Sequence, residues 1–412
     1  MLSDNKKTIF FEYITVIVFS ILLQIIQIKI AGLGRDNDCK IYFNYSKKWI
    51  EGKVPYLDYQ VEYPPGAMFL FIAPYYFANE NIQKYRMAFA VEMGIFVTLA
   101  SIIVLTFARK RWQNSILKKT LQLALFFAMI AIMSQIVHRR FDIAPATLTA
   151  LSFLLPPALA SLILGVATSI KLWPAILFPV VLIDLFLKNI KRAISGIILF
   201  CIGLILPFIP FITNAGWEVL SFLKYHAQRG IQIESFWALP VLILDSLGIA
   251  KTRCDWSFGS NNAVSEFSDY IIHFSNIALV LLLSLPLLTI ILKKGRINQN
   301  EKIFTAVAMI TGFILSNKVL SPQFMIWVTP LLPVTAFMMP KHRMIRTIVL
   351  SLLIPLLTML IFLVFYKNLC EGPREFAYIF SFLRLICVLE IYRLHILKGS
   401  FRTLRQFCRD AC

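Results

Sequence analysis

Residues 36–66 read DNDCKIYFNYSKKWIEGKVPYLDYQVEYPPG and gather acids, aromatics and prolines in one place. Asp36 and Asp38 open the stretch, and Asp38, Tyr42, Tyr45 and Trp49 recur at i, i+4, i+7 and i+11. On a helix at a membrane interface that spacing makes one stripe of an acid and three aromatics, which Gly52 and Pro55 then end. Two readings stay open: a set of groups with a shared chemical task, or ordinary loop acids beside an interfacial aromatic belt. Further along, Lys171 and Lys318 stand at the ends of apolar segments, and His226 and Arg229 share the short run HAQRG. Cations there are costly without a partner. Either an anion meets them, or the lysines snorkel to headgroups and His226 pairs locally. Asp142 and Glu234 are expected in structural pairs, Arg140–Asp142 and Arg229–Glu234.

Several chemistries are excluded. The seven cysteines are scattered with no C-x-x-C among them, and no P-loop, G-x-G-x-x-G or H-E-x-x-H occurs. ATPases, dinucleotide-binding enzymes and zinc proteases drop out with those motifs. The triplet DND at 36–38 is a thin ligand set for a hard cation, so no metal and no cofactor is expected. Cys254 and Cys370 both fall in outer loops by the topology below and can bridge there.

The elements that must position these residues are membrane helices. Hydrophobic residues make up 58% of the 412 and charged ones 15%, with a mean hydropathy of +0.73. Lipid must solvate such a chain. Apolar windows near 10–31, 84–108, 119–137, 143–156, 159–172, 174–187, 193–212, 270–292, 302–317, 323–340, 345–366 and 376–397 give about twelve spans in a single domain, 1–412. The three within 143–187 are short and can be tilted or partly re-entrant, and 236–250 reads as re-entrant or interfacial. The first span is too long for a signal-peptide core, so it is expected to stay uncleaved.

The net charge of +19 is not a nucleic-acid signature, because the basic residues cluster in alternate loops: 109–119, 188–192, 293–302, 341–346 and the tail 398–412. Those loops are then cytoplasmic, as are both termini, while the acids share the outer loops, chiefly 32–83 and 213–269.

With these residues in view, the chain resembles glycosyltransferase family 87, membrane mannosyltransferases of the GT-C superfamily that use polyprenyl-phosphate sugars. The resemblance rests on Asp38-x-x-x-Tyr42 followed by GKVPYLDYQVEYPPG, then RRFDIAPATLTAL (139–151), SIKLWPAILFPVVL (169–182), YHAQRGIQIESFWAL (225–239) and NKVLSPQFMIWVTPLL (317–332). It covers roughly residues 36–340 and leaves the last two spans and the tail unmatched. It implies an all-α, GT-C-like membrane bundle that moves mannose, with inversion, from a polyprenyl-phosphate donor to a glycan or glycolipid acceptor at the outer face of a bacterial cytoplasmic membrane. Nucleic acid has no part in it.

Such transfer needs a carboxylate base and cations for the departing phosphate. Asp38 matches the family's catalytic aspartate; Asp36, which is not four residues before a tyrosine, is its competitor. Arg229, Lys318, His226 and Lys171 are the phosphate-binding candidates. Arginine's fork suits a phosphate, and the proline of SPQ after Lys318 can open a polar pocket around it. Glu62, Tyr42, Tyr56, Tyr63 and Gln323 are the candidates for sugar or acceptor contact, with Trp237 and Trp327 as further aromatics. The alternative class is a non-catalytic transporter or flippase of lipid-linked glycans. Its ionisable groups would lie at mid-membrane, whereas here they gather at span ends and in outer loops.

Overall fold

A computed structural model of the chain describes residues 2–32, 37–292, 297–371 and 374–410. Asp36 lies outside the described residues, as does part of the basic loop 293–302. Helix α1 (Leu2–Ala31) is followed by α2 (Asn37–Ile50), the striped helix, which carries Asp38 in its first turn. Gly52, at φ 87°, ends α2 in the left-handed conformation that glycine adopts without strain. Helix α3 (Pro65–Tyr75) begins on the prolines of EYPPG, where a missing N–H costs nothing. Helix α4 (Ile82–Arg111) is capped by the Asn81 side chain, which accepts from the Gln83 and Lys84 amides.

Next come α5 (Ile116–Ile132), α6 (Ser134–Val137), α7 (Ile143–Ser152) and α8 (Pro157–Ile170). After them stand α9 (Phe178–Lys188), α10 (Ile190–Ile205), α11 (Ile209–Ala215) and α12 (Ser221–Gln228). Strand β1 (Ile231–Gln232), α13 (Ala238–Ser246), β2 (Arg253–Ser257) and β3 (Ser260–Val264) then precede a second helical half. That half is α14 (Ser268–Ile291), α15 (Gln299–Ser316), α16 (Leu332–Phe337), α17 (Lys341–Leu360), α18 (Tyr366–Cys370) and α19 (Glu375–Asp410).

Among the described residues, five helical stretches are long and apolar enough to cross a membrane: Lys7–Ile30, Ile82–Arg111, Ile190–Gln228, Ser268–Ile291 and Lys341–Cys370. Other expected spans take different forms. Helices α7, α8 and α9 have 10, 14 and 11 residues. At about 1.5 Å per residue they fall short of a hydrocarbon core of roughly 30 Å. The stretch expected to span at 323–340 is instead a 3-10 turn, Pro322–Val328, and the short α16, both buried among other helices. Pro322, Pro330 and Pro333 prevent a continuous helix there, and burial in protein is what makes such backbone tolerable at membrane depth.

The outer loop 213–269 holds a departure from the all-helical expectation, a three-stranded antiparallel sheet in the order β1–β3–β2. Phe258 and Gly259 form its two-residue hairpin turn at φ 51° and 70°, the left-handed pair that such a turn requires. The Asn262 amide braces the turn by donating to the Ser257 and Ser260 carbonyls at 3.0 and 3.1 Å. A Cys254–Cys370 disulfide, the bridge the sequence permits, ties the hairpin to α18.

Two close approaches rest on glycine. Gly165 of α8 and Gly203 of α10 face each other's backbones, and a Cβ at either would stand 2.2 Å from a carbonyl oxygen of the other helix. Small residues let membrane helices meet this closely. A Cβ on Gly66 of EYPPG would lie 2.5 Å from Ser169 Oγ, so this glycine seats the Glu62 turn on the end of α8, beside Lys171. Two aromatics expected to touch sugar are packing residues instead. Tyr42 is 1% exposed and stacks on Phe71 at 4.2 Å. Tyr56 is 5% exposed, held at φ 73°, and donates its hydroxyl to the Tyr63 carbonyl at 2.8 Å. The same stripe that brings Asp38 to the cavity turns Tyr42 into the core.

Candidate active site

A cavity of about 1000 Å³ is bounded by the start of α2, the EYPPG turn, the loop after α6, the ends of α8, α12 and α15, and the β2–β3 hairpin. Asp38, Glu62, Tyr63, Lys171, His226, Arg229, Lys318 and Gln323 all line it, from segments far apart in the chain. Phe313, Phe324, Phe362 and Leu363 add an apolar side. Trp237 is not among its walls; it is half-buried, and its indole donates to the Leu315 carbonyl at 3.1 Å.

The pairings differ from those expected. Asp38 forms an ion pair with Arg140, not left to solvent, and both side chains stay below one-fifth exposed. Arg140 therefore does not pair with Asp142. That carboxylate, 1% exposed, accepts from Lys171 Nζ at 2.7 Å and from the Trp327 indole at 2.6 Å. Lys171 is thus neutralised from behind and also stands over the Phe141 ring at 4.7 Å. Trp327 is stacked between Trp173, at 5.0 Å, and Phe324, at 4.0 Å, so its faces are occupied.

Arg229 and Lys318 behave otherwise. Arg229 donates to Ser260 Oγ at 3.2 Å, and Lys318 Nζ donates to the Ala227 carbonyl at 3.1 Å. Neither pairs with a carboxylate among the described residues, so Arg229 does not hold Glu234 as expected. Burial, and then the neighbouring Arg229, hold the Lys318 amine below its ordinary value. Two uncompensated cations in one recess form a place for an anion. Nearby, burial holds the Tyr63 hydroxyl in its neutral form, with the Glu62 charge adding to the effect.

Glu234 is 2% exposed at the cavity wall. Burial pushes its carboxyl up to about 7, against the opposing pull of Arg384 and Arg140. Among the described residues no three His, Cys, Asp or Glu side chains gather as a metal ligand set. Sequence reasoning missed Arg140, Trp173, Gln232 and Ser260 as members of the site. The RR of RRFD was the one visible signal, and its second arginine, Arg140, reaches Asp38 on α2, about a hundred positions upstream, not the acid two residues on.

The structure is similar to the crystal structure of ArnT from Cupriavidus metallidurans bound to undecaprenyl phosphate, with a TM-score of 0.50 and 12% identity, over 94% of this chain and 76% of that one. With the apolar helices, that likeness defines the class, a multi-pass membrane protein of the GT-C fold. Residues 61–322, more than half of the chain, match the model of glycosyltransferase family 87, and the chain belongs to that family. Asp38 lies upstream of the matched stretch and Gln323 just beyond it. Comparison with curated proteins found no match.

Proposed function

We propose that this glycosyltransferase moves mannose from a polyprenyl-phosphate donor to a hydroxyl of a glycan or glycolipid, with inversion, at the outer face of a bacterial cytoplasmic membrane. The carrying observation is that one cavity joins a carboxylate at its edge, Asp38, to two cations without acidic partners among the described residues, Arg229 and Lys318. The acceptor hydroxyl loses its proton to Asp38 as its oxygen attacks the anomeric carbon, and the polyprenyl phosphate leaves with the bonding electrons. Arg140, paired with Asp38, orients it. Arg229 and Lys318, with His226 and Lys171 alongside, meet the charge that grows on the departing phosphate.

Glu62, Tyr63 and Gln323 border the space left for sugar. The apolar side formed by Phe313, Phe324, Phe362 and Leu363 suits a polyprenyl chain, and the neighbouring ArnT structure holds a lipid phosphate of that kind. Basic loops at alternate turns of the chain favour cytoplasmic termini and an outward cavity. Membranes containing the protein, given radiolabelled polyprenyl-phosphate mannose, should yield a labelled product in the glycolipid or glycan extract. Label that stays entirely in the donor would contradict the reading.

A further inference from the structure

Glu234 has a role that the base and the phosphate site leave open. Its Oε2 accepts from the Gln232 amide at 3.2 Å, while its Oε1 has no hydrogen-bond partner among the described residues and is closed to solvent. Gln323 Oε1 is in the same condition, and both residues line the cavity. An orphan acceptor inside a protein carries the full cost of its desolvation, and two at one wall call for an outside donor. The wall is joined to the phosphate recess: Gln232 N donates to the Lys318 carbonyl at 3.0 Å, and Ser321 Oγ bonds Gln232 Oε1 at 3.2 Å.

Behind this wall stands Arg384 of α19, 0% exposed, whose Nη2 donates to the Glu234 carbonyl at 2.6 Å and whose guanidinium lies 5.3 Å from the Phe236 ring centre. Its Nε and Nη1 have no partner among the described residues. The charged and titratable groups acting on Glu234 are thus Arg384 from α19, Arg140 from the loop after α6 and the Tyr366 hydroxyl of α18. Helix α19 lies wholly outside the stretch that matches the family.

We infer that Glu234, held in place by Arg384, reads a hydroxyl of the transferred sugar, with Gln323 as its companion acceptor. This rests on the proposed polyprenyl-phosphate sugar donor, whose sugar must sit beside Lys318 when its phosphate does. A sugar hydroxyl both donates and accepts, so it satisfies Oε1 whether the carboxyl is ionised or protonated. A site built to bond a hydroxyl rejects the analogue that lacks it, because its own buried groups are then left unpaired. Arg384 acts as a positioning residue, bonding the backbone that carries Glu234.

The test compares polyprenyl-phosphate mannose with its 2-, 3-, 4- and 6-deoxy analogues as donors for purified enzyme in detergent. Wild-type kcat/KM should fall at least about tenfold for one analogue or more. Glu234→Gln and Glu234→Ala should lower the rate with mannose and flatten that discrimination. Arg384→Lys should keep the discrimination and Arg384→Met should lose it, which a general loss of stability would not do. Elution of each variant as a single detergent-solubilised species secures the comparison, and Glu234→Gln serves where Glu234→Ala does not fold. Discrimination that survives intact in Glu234→Gln overturns the assignment of Glu234. A wild type that transfers mannose with no deoxy penalty overturns it while leaving the transferase reading standing. No transfer from any donor counts against that reading and this one together.

Discussion

Arg229 and Lys318 are two cations that pair with no carboxylate among the described residues, and in a recess of low dielectric an anion would relieve their mutual repulsion. Arg229→Ala and Lys318→Ala should therefore each slow transfer, by about 2–4 kcal/mol in transition-state stabilisation, while the proteins still elute as single species in detergent. Near wild-type kcat/KM in both would return these residues to interfacial anchoring. Lys171 is a different case, because Asp142 already neutralises it. The sequence distinguishes these cations poorly. Lys171 and Lys318 read alike as charges at apolar ends, and what separates them is a carboxylate twenty-nine positions upstream of Lys171, with no such partner for Lys318 among the described residues. Tyr42 and Tyr56 mislead for a similar reason, since an aromatic on a stripe has the same spacing whether the stripe meets a ligand or a core.

The elements show which signals survive folding. The stripe helix α2 and its glycine stop are legible because periodicity and a left-handed residue are local properties. The short helices α7–α9 also show in the short apolar runs of 143–187, but the broken segment from Pro322 to Phe337 does not, because hydropathy cannot tell lipid-facing apolar residues from those enclosed by protein. The hairpin at 253–264 hides behind the expectation of helices, although its Phe-Gly turn carries the needed left-handed position. The α8–α10 contact rests on Gly165 and Gly203, whose missing side chains let backbones touch. Gly165→Ala should then cost about 1–3 kcal/mol, read as a lowered thermal unfolding midpoint in detergent, because backbone and not a flexible side chain must move. An unchanged midpoint would show that the two helices have room to part.

In the molecule as a whole, the loops at 32–83 and 213–269 share one side of the membrane, because they line one cavity. By the proposed topology, with the basic loops cytoplasmic, that side is the outer one. With Cys39, Cys201, Cys387, Cys408 and Cys412 replaced, a membrane-impermeant thiol reagent on intact cells should label reporters at the exposed positions Gln60 and Lys251 and spare those at Asn114 and Asn300. The reverse pattern would place the cavity on the cytoplasmic side and remove the reasoning for an outer-face transferase.

The central claim is that Asp38 takes the acceptor's proton in this cavity, and the rate of Asp38→Asn tests it most directly. Asparagine keeps the size and the hydrogen-bonding shape but cannot accept that proton, and Asp36→Asn is the control beside it. Measured with labelled polyprenyl-phosphate mannose, single-turnover transfer by Asp38→Asn should fall by at least ~100-fold, with donor binding largely kept and Asp36→Asn close to wild type. Normal transfer by Asp38→Asn would contradict the account.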